Sequence, residues 1–118
     1  MDDGRPIFLQ LAERIEDGII DGTYPDEGQL PSINEFAAFH RINPATALKG
    51  ITRLVDAGLV YKRRGVGMFV AAGARDRLLA ARRERFADSH IAPLLAEAQH
   101  LGLTTDELID LIRKDAPS

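Results

Sequence analysis

The feature that most constrains this chain is a pair of short helices separated by three residues. Pro31-Ser32 opens the first, with Ser32 and Glu35 in capping-box register. Ile33, Phe36 and Ala37 form its buried face, and Phe39 and Ile42 are expected to close the far side. After His40-Arg41-Ile42 the second helix begins at Asn43-Pro44. Asn43 can accept a hydrogen bond from an unpaired backbone N–H, and Pro44 suits the first helical position, where a missing donor costs nothing. The early turns (Ala45, Thr46, Leu48, Lys49) are slim and partly polar, whereas Ile51, Leu54 and Val55 are core-like. One end is thus free for a partner while the other anchors the helix. Two helices joined this tightly form a helix-turn-helix, whose second member reads a DNA groove.

The flanking sequence completes the motif. Residues 6–21 place Ile7, Phe8, Leu11, Ala12, Ile15 and Ile19 at helical spacing. Gly22 to Gly28 is dense in turn formers, and Gln29-Leu30 fits a very short strand. The Asn43 helix ends near Ala57, with Gly58 placed for a left-handed cap. Leu59–Arg63 and Met68–Ala71 are β-formers around Arg64-Gly65-Val66-Gly67, which reads as a hairpin. A hairpin directly after a helix-turn-helix is a wing, and this one carries Lys62, Arg63 and Arg64 up to its tip.

From Ala74 the composition shifts to Ala, Leu, Arg and Glu, all good helix formers. Pro93 interrupts this stretch and predicts a kink or break around Ser89–Ala92. Thr104 and Glu107 cap a last helix. The expected fold is mainly α with a small β-wing. A winged helix-turn-helix spans residues 1–73, and a helical tail spans 74–118, with helices at about 75–101 and 105–115.

Net charge is −3, which by itself argues weakly against a nucleic-acid partner. Its distribution reverses that argument. Residues 1–39 carry nine acids against Arg5 and Arg14, whereas residues 40–75 carry seven bases against Asp56 alone. An anionic polymer is neutralised by a local patch, so the segregation favours DNA over a merely solvated surface. The absence of cysteine excludes disulfide scaffolds and thiolate metal sites and fits a reducing cytoplasm. No apolar run approaches a membrane span, and the N-terminus lacks a signal-peptide pattern, so a cytoplasmic, nucleoid-associated protein without a membrane partner is expected. His40, His90 and His100 lie on different elements without metal-ligand spacing, and no nucleophile–base set is visible. The expectation is therefore no catalytic residue, no metal and no cofactor.

Residues 5–72 resemble the winged helix-turn-helix of the GntR family of bacterial transcription regulators. The resemblance lies in Pro6-Ile7-Phe8-Leu9-Gln10-Leu11, Gly28-Gln29-Leu30-Pro31-Ser32, Asn43-Pro44-Ala45-Thr46, Leu54 with Gly58-Leu59-Val60, and Gly65-Val66-Gly67-Met68-Phe69-Val70. The Asn-Pro opening and the short tail containing Glu97-Ala98-Gln99-His100-Leu101-Gly102-Leu103 are similar to the YtrA subfamily. The resemblance implies a homodimeric, repressor-like protein without a large effector domain, of a kind whose genes commonly accompany transporter operons. Two positions depart from the pattern. Asn34 stands where the family usually has an Arg that reaches DNA, and Gly50-Ile51 stands where Ala and Tyr are common. Asn cannot copy a guanidinium fork, although it can pair with adenine edges or a phosphate.

The expected DNA contacts follow. Asn43, Thr46 and Lys49 supply hydrogen bonds, Ala45 permits close approach, and Leu48 either touches a thymine methyl or belongs to the core. Asn43 is a cap in either case. Ser32, beside the free amides of its helix, offers a phosphate clamp in addition to its cap, with Asn34 and Arg41 nearby. Strand alternation lets about two of Lys62, Arg63 and Arg64 face DNA. Arg64, beside Gly65 and Gly67, is best placed for a narrow minor groove. A palindromic double-stranded operator suits a pair of such domains. The pairing surface is expected on the tail, from Leu79, Phe86, Ile91, Leu94, Leu95, Ala98, Leu101, Leu108, Leu111 and Ile112. The alternative is that this stripe folds back on its own winged helix. A small effector of unknown identity would bind at the dimer interface or between the tail and the winged helix. The competing functional class is a winged helix used as a protein-interaction or scaffold module.

Overall fold

The computed structural model describes residues 4–117. Helices α1 (Ile7–Asp21), α2 (Ile33–His40) and α3 (Pro44–Asp56) precede strands β1 (Val60–Arg63) and β2 (Gly67–Val70). Helix α4 (Ala74–Phe86), a π-helical turn (Ala87–Ile91), α5 (Ala92–His100) and α6 (Thr105–Asp115) follow. The chain divides into two compact units after Ala80. The winged-helix unit therefore reaches past the composition change at Ala74. Ala74 and Leu78 are buried in its core, and two Arg77 nitrogens donate to the carbonyls of Ala57 and Gly58 at 2.8 and 2.9 Å.

In this first unit α1 supplies Leu11, Ala12, Ile15 and Ile19 to the core, α2 supplies Phe36 and Ala37, and α3 supplies Ala47, Ile51 and Leu54. Leu59, Val60, Met68 and Val70 from the hairpin region close it. Ile7 and Phe39 depart from the expected core, at 43% and 81% exposure. The cause at Phe39 lies in the turn that follows. Arg41 adopts a left-handed conformation (φ 55°), and the amides of Arg41 and Ile42 reach back to the Ala38 and Ala37 carbonyls. This reversal swings Ile42 against the core and leaves Phe39 outside.

Helix α3 ends in the pattern that Gly58 predicts. Gly58 N–H bonds to the Val55 carbonyl and Leu59 N–H to the Leu54 carbonyl, a Schellman closure. Gly50 is a packing requirement. A Cβ there would lie 2.8 Å from the Phe8 carbonyl oxygen, so α1 and α3 approach closely only because residue 50 has no side chain. The helix-propensity cost of about 1 kcal/mol is accepted for that contact.

In the second unit the α5–α6 turn repeats the Schellman closure with Gly102 in the left-handed position, as Leu103 N–H bonds to the Ala98 carbonyl. Thr104 and Glu107 form the expected capping box, and the Thr104 backbone N–H and hydroxyl hold the Glu107 carboxyl below its ordinary range. Pro93 does not end the helix; around the expected position the disturbance takes the form of a π-helical turn rather than a break. A proline ring collides with the carbonyl of residue i−4. One widened turn just before it, with Ala92 N–H bonding to the Ala87 carbonyl, relieves that clash and lets the helix continue. Among the described residues no helix is long and apolar enough to cross a membrane.

Candidate nucleic-acid interface

The first turns of α3 form an exposed surface whose geometry follows from their caps. Asn43 Oδ1 accepts the Ala45 N–H at 2.7 Å, so the cap is real, and the residue stays exposed. Ala45, Leu48 and Lys49 are exposed, with Thr46 half-buried beside them. The core face is Ala47, Gly50, Ile51 and Leu54, so Leu48 points outward at 42% exposure and is not core. Lys49 does not extend freely: its Nζ sits 4.2 Å from the centre of the Phe8 ring. That contact is a cation–π interaction, which restrains the ammonium on the α1 side of the helix.

At the start of α2 the capping box consumes more of the helix terminus than a phosphate clamp would leave. Ser32 Oγ accepts the Glu35 N–H at 3.1 Å, and Glu35 Oε1 accepts the Ser32 N–H at 3.0 Å. The amides of Ile33 and Asn34 remain for a ligand, close to the Glu35 carboxylate. Asn34 itself is exposed. Arg41 is also exposed and holds the left-handed position that usually belongs to glycine.

The wing is braced from below. Register pairs Tyr61 with Phe69, Lys62 with Met68 and Arg63 with Gly67. Leu30 N–H donates to the Met68 carbonyl, and Val70 N–H to the Gly28 carbonyl, so the segment before α2 makes an isolated antiparallel bridge beside β2, Gln29 facing Phe69. Gln29 Nε2 donates to the Val66 carbonyl at 3.1 Å, and a Cβ on Gly67 would lie 2.5 Å from that nitrogen. Gly65 and Gly67 both take positive φ. In the sequence Gln29 stands out only as part of a short strand. Its bracing role depends on the hairpin returning over it, a contact 37 residues away that no local signal announces.

The wing bases are separated by the pleat. Lys62 continues the inward row of Val60 but extends beyond the core, whereas Arg63 lies with Tyr61 on the outer face. Tyr61 and Phe69 stack at 5.7 Å, and the Arg63 guanidinium carbon lies 5.3 Å from the Phe69 ring centre. Arg64 is exposed at the turn. Arg75, counted with the basic stretch, belongs elsewhere. Its Nε donates to the Ile20 carbonyl at 2.8 Å, and Asp26 accepts the neighbouring Gly73 and Arg75 amides. The other exposed bases of this region are Arg41, Lys49, Arg53, Lys62, Arg63 and Arg64.

A tri-helical core, a helix presented by its polar N-terminal turns and a basic hairpin define a winged helix-turn-helix of the DNA-reading class. The particular family is equally plain. The sequence model described as "Bacterial regulatory proteins, gntR family" matches residues 8–70, and the chain belongs to that family. It is 28% identical over 111 residues to the HTH-type transcriptional regulator YhcF of Bacillus subtilis, covering 92% of this chain and 88% of that protein. A crystal structure of a GntR-family transcriptional regulator from Bacteroides thetaiotaomicron matches with TM-score 0.72 and 31% identity, covering 92% of this chain and 94% of that one. The DNA-binding domain of AraR, solved in complex with operator ORE1, matches with TM-score 0.55 and 33% identity, covering 57% of this chain and 82% of that one.

The residues expected for dimerisation divide in two. Ala98 and Leu108 are buried inside the α5–α6 hairpin, where they hold the helices together. Phe86, Ile91, Leu94, Leu95, Leu101, Leu111 and Ile112 are exposed, and Leu79 is half-buried. An apolar groove of about 500 Å³ runs along the hairpin between Leu94, Leu101, Leu111 and Ile112.

Proposed function

We propose that this GntR-family regulator is a sequence-specific repressor that binds a palindromic operator as a homodimer. The observation that carries the reading is the shared exposure of the α3 N-terminal turns and the basic wing on a rigid scaffold. In this reading α3 enters the major groove, where Asn43, Ala45, Thr46 and Leu48 meet base edges and Lys49 a phosphate. Ser32, Asn34 and Arg41 hold the adjacent backbone. Arg64 enters the minor groove, with Arg63 and Lys62 on the flanking phosphates and Gly65 and Gly67 allowing close approach. One such domain makes few contacts, and two domains spaced by about one helical turn multiply the discrimination. Two domains seated across an operator also occlude it from polymerase, which favours repression.

The exposed apolar residues of the α5–α6 hairpin supply the pairing surface, and a small effector fits the groove beside them. A two-helix tail of this size supports a reading as a YtrA-like member, of a kind whose genes commonly accompany transporter operons. The reading is tested by operator affinity as a function of salt, after selection of a site from random duplexes. Log K should fall linearly with log salt, by about 0.9 for every phosphate neutralised. A flat response, or equal affinity for random duplex, would point instead to a protein-interaction module.

A further inference from the structure

We propose that the cleft between α1 and α2 is a binding site for a planar aromatic carboxylate. This cleft has a volume of about 510 Å³, within the range of small-molecule sites. It takes in Arg14 from α1, Tyr24 from the following loop, and Glu35, Phe36, Phe39 and His40 from α2. None of them is used in the proposed DNA contacts, so the site stands independently of that reading.

The rings form a continuous array. Tyr24 meets Phe36 edge-on at 6.3 Å, Phe36 stacks near-parallel with His40 at 6.4 Å, and His40 meets Phe39 edge-on at 5.0 Å. The outermost ring, Phe39, is 81% exposed and contributes nothing to the core. A single exposed apolar residue is ordinary, but one ending an aromatic row at the mouth of a cleft offers a stacking platform. Arg14, which lines the same cleft, has no hydrogen-bond or ion-pair partner among the described residues. Burial and the Arg14 charge both pull the His40 imidazole below its usual pKa, so that ring is neutral near pH 7. Glu35, the acid of the cleft, gives Oε1 to the Ser32 amide and lies in the first turn of α2, where the helix dipole compensates it. Arg14 is left as the uncompensated charge. Flat apolar walls with one guanidinium match a ring system bearing a carboxylate, which the planar fork binds in bidentate fashion.

The test is an NMR titration of the full chain with 2-naphthoate. Saturable shifts are expected at Arg14, Phe39 and His40, with none in the tail groove at Leu94, Leu101 and Leu111. Both Arg14→Gln and Phe39→Ala alter exposed side chains and should leave the thermal transition in place, while each weakens binding by about three- to tenfold. The neutral 2-naphthamide and the saturated cyclohexanecarboxylate should each bind more weakly by a similar factor. The proposal is overturned by the absence of saturable shifts, by shifts confined to the tail groove, by unchanged affinity in Arg14→Gln, or by equal affinity for the amide or for 2-naphthylmethylammonium.

Discussion

The two units of this protein close their apolar surfaces differently. The winged helix buries Leu11, Ile15, Ile19, Ile51, Leu54, Val60 and Val70 almost completely and surrounds them with packed neighbours. The tail hairpin buries Ala98 and Leu108 and leaves Leu94, Leu95, Leu101, Leu111 and Ile112 at 39–65% exposure. Each unit contains a helix opened by a capping box, so the difference is not one of local capping alone. Two helices have too little opposing surface to enclose an apolar stripe on each, whereas three helices and a hairpin can surround a core. A hairpin that displays so much apolar area is suited to packing against a further surface, while the winged helix is complete by itself.

The strongest way to break this comparison is to separate the units. A chain ending at Ala80 should stay folded and sediment as a monomer, whereas the full chain should sediment as a dimer. Its operator affinity should fall by about 10²–10⁴-fold, because the second domain is no longer held nearby. A dimer persisting in the truncated chain would move the pairing surface into the winged helix. The cut must fall after Leu78, since ending at residue 72 removes Ala74, Arg77 and Leu78 from the winged-helix core.

Single leucines should sharpen the contrast. Leu78→Ala empties a buried site and should cost about 2–5 kcal/mol in chemical denaturation. Leu101→Gln, at a site 65% exposed, should change the stability of the monomer by less than about 0.5 kcal/mol. It should nevertheless weaken self-association measurably in sedimentation. If both variants destabilise the monomer equally, the tail is a core in its own right.

A smaller effect isolates packing from propensity. Gly50→Ala improves helix propensity by about 1 kcal/mol, yet the added methyl meets the Phe8 carbonyl, and overpacking costs about 1–3 kcal/mol. The expected sign in urea unfolding is destabilisation. A more stable variant would show that α1 yields easily at that contact.

The least expected change compares the same turn in both units. Gly102 occupies the left-handed position after α5, while Arg41 occupies it after α2. Arg41→Gly should therefore raise stability by about 0.5–1 kcal/mol, since the native conformation suits glycine better. Operator affinity should fall in the same variant. A gain in stability with unchanged affinity would reduce Arg41 to a turn residue.

Much of this was legible in the residues. Ser32 with Glu35, Asn43 with Pro44, Gly58, and Thr104 with Glu107 announce caps through bonds that span at most a few positions, and these set the helix boundaries. The turn glycines around Val66 likewise announced the wing. The placement of Phe39 was less legible, because its outward position depends on the left-handed turn at Arg41, and Arg rarely signals that conformation. Pro93 announced a disturbance but not its form, since a π-turn and a break both answer the same lost hydrogen bond.

By itself the sequence determined the order of elements, the helix-turn-helix and the basic character of the wing, because caps, periodicity and charge are local properties. The tertiary structure decided which charges are available and which glycines are required. Arg75 counted with the basic stretch until the Ile20 carbonyl came into reach, and Arg77 gained its place at the end of α3 only through the carbonyls of Ala57 and Gly58. Gly50 looked like a weakness in α3 until the Phe8 carbonyl arrived beside it. Gln29 became the brace of the wing when Val66 returned over it. Each of these depends on the approach of residues far apart in the chain, which only the packed fold brings together.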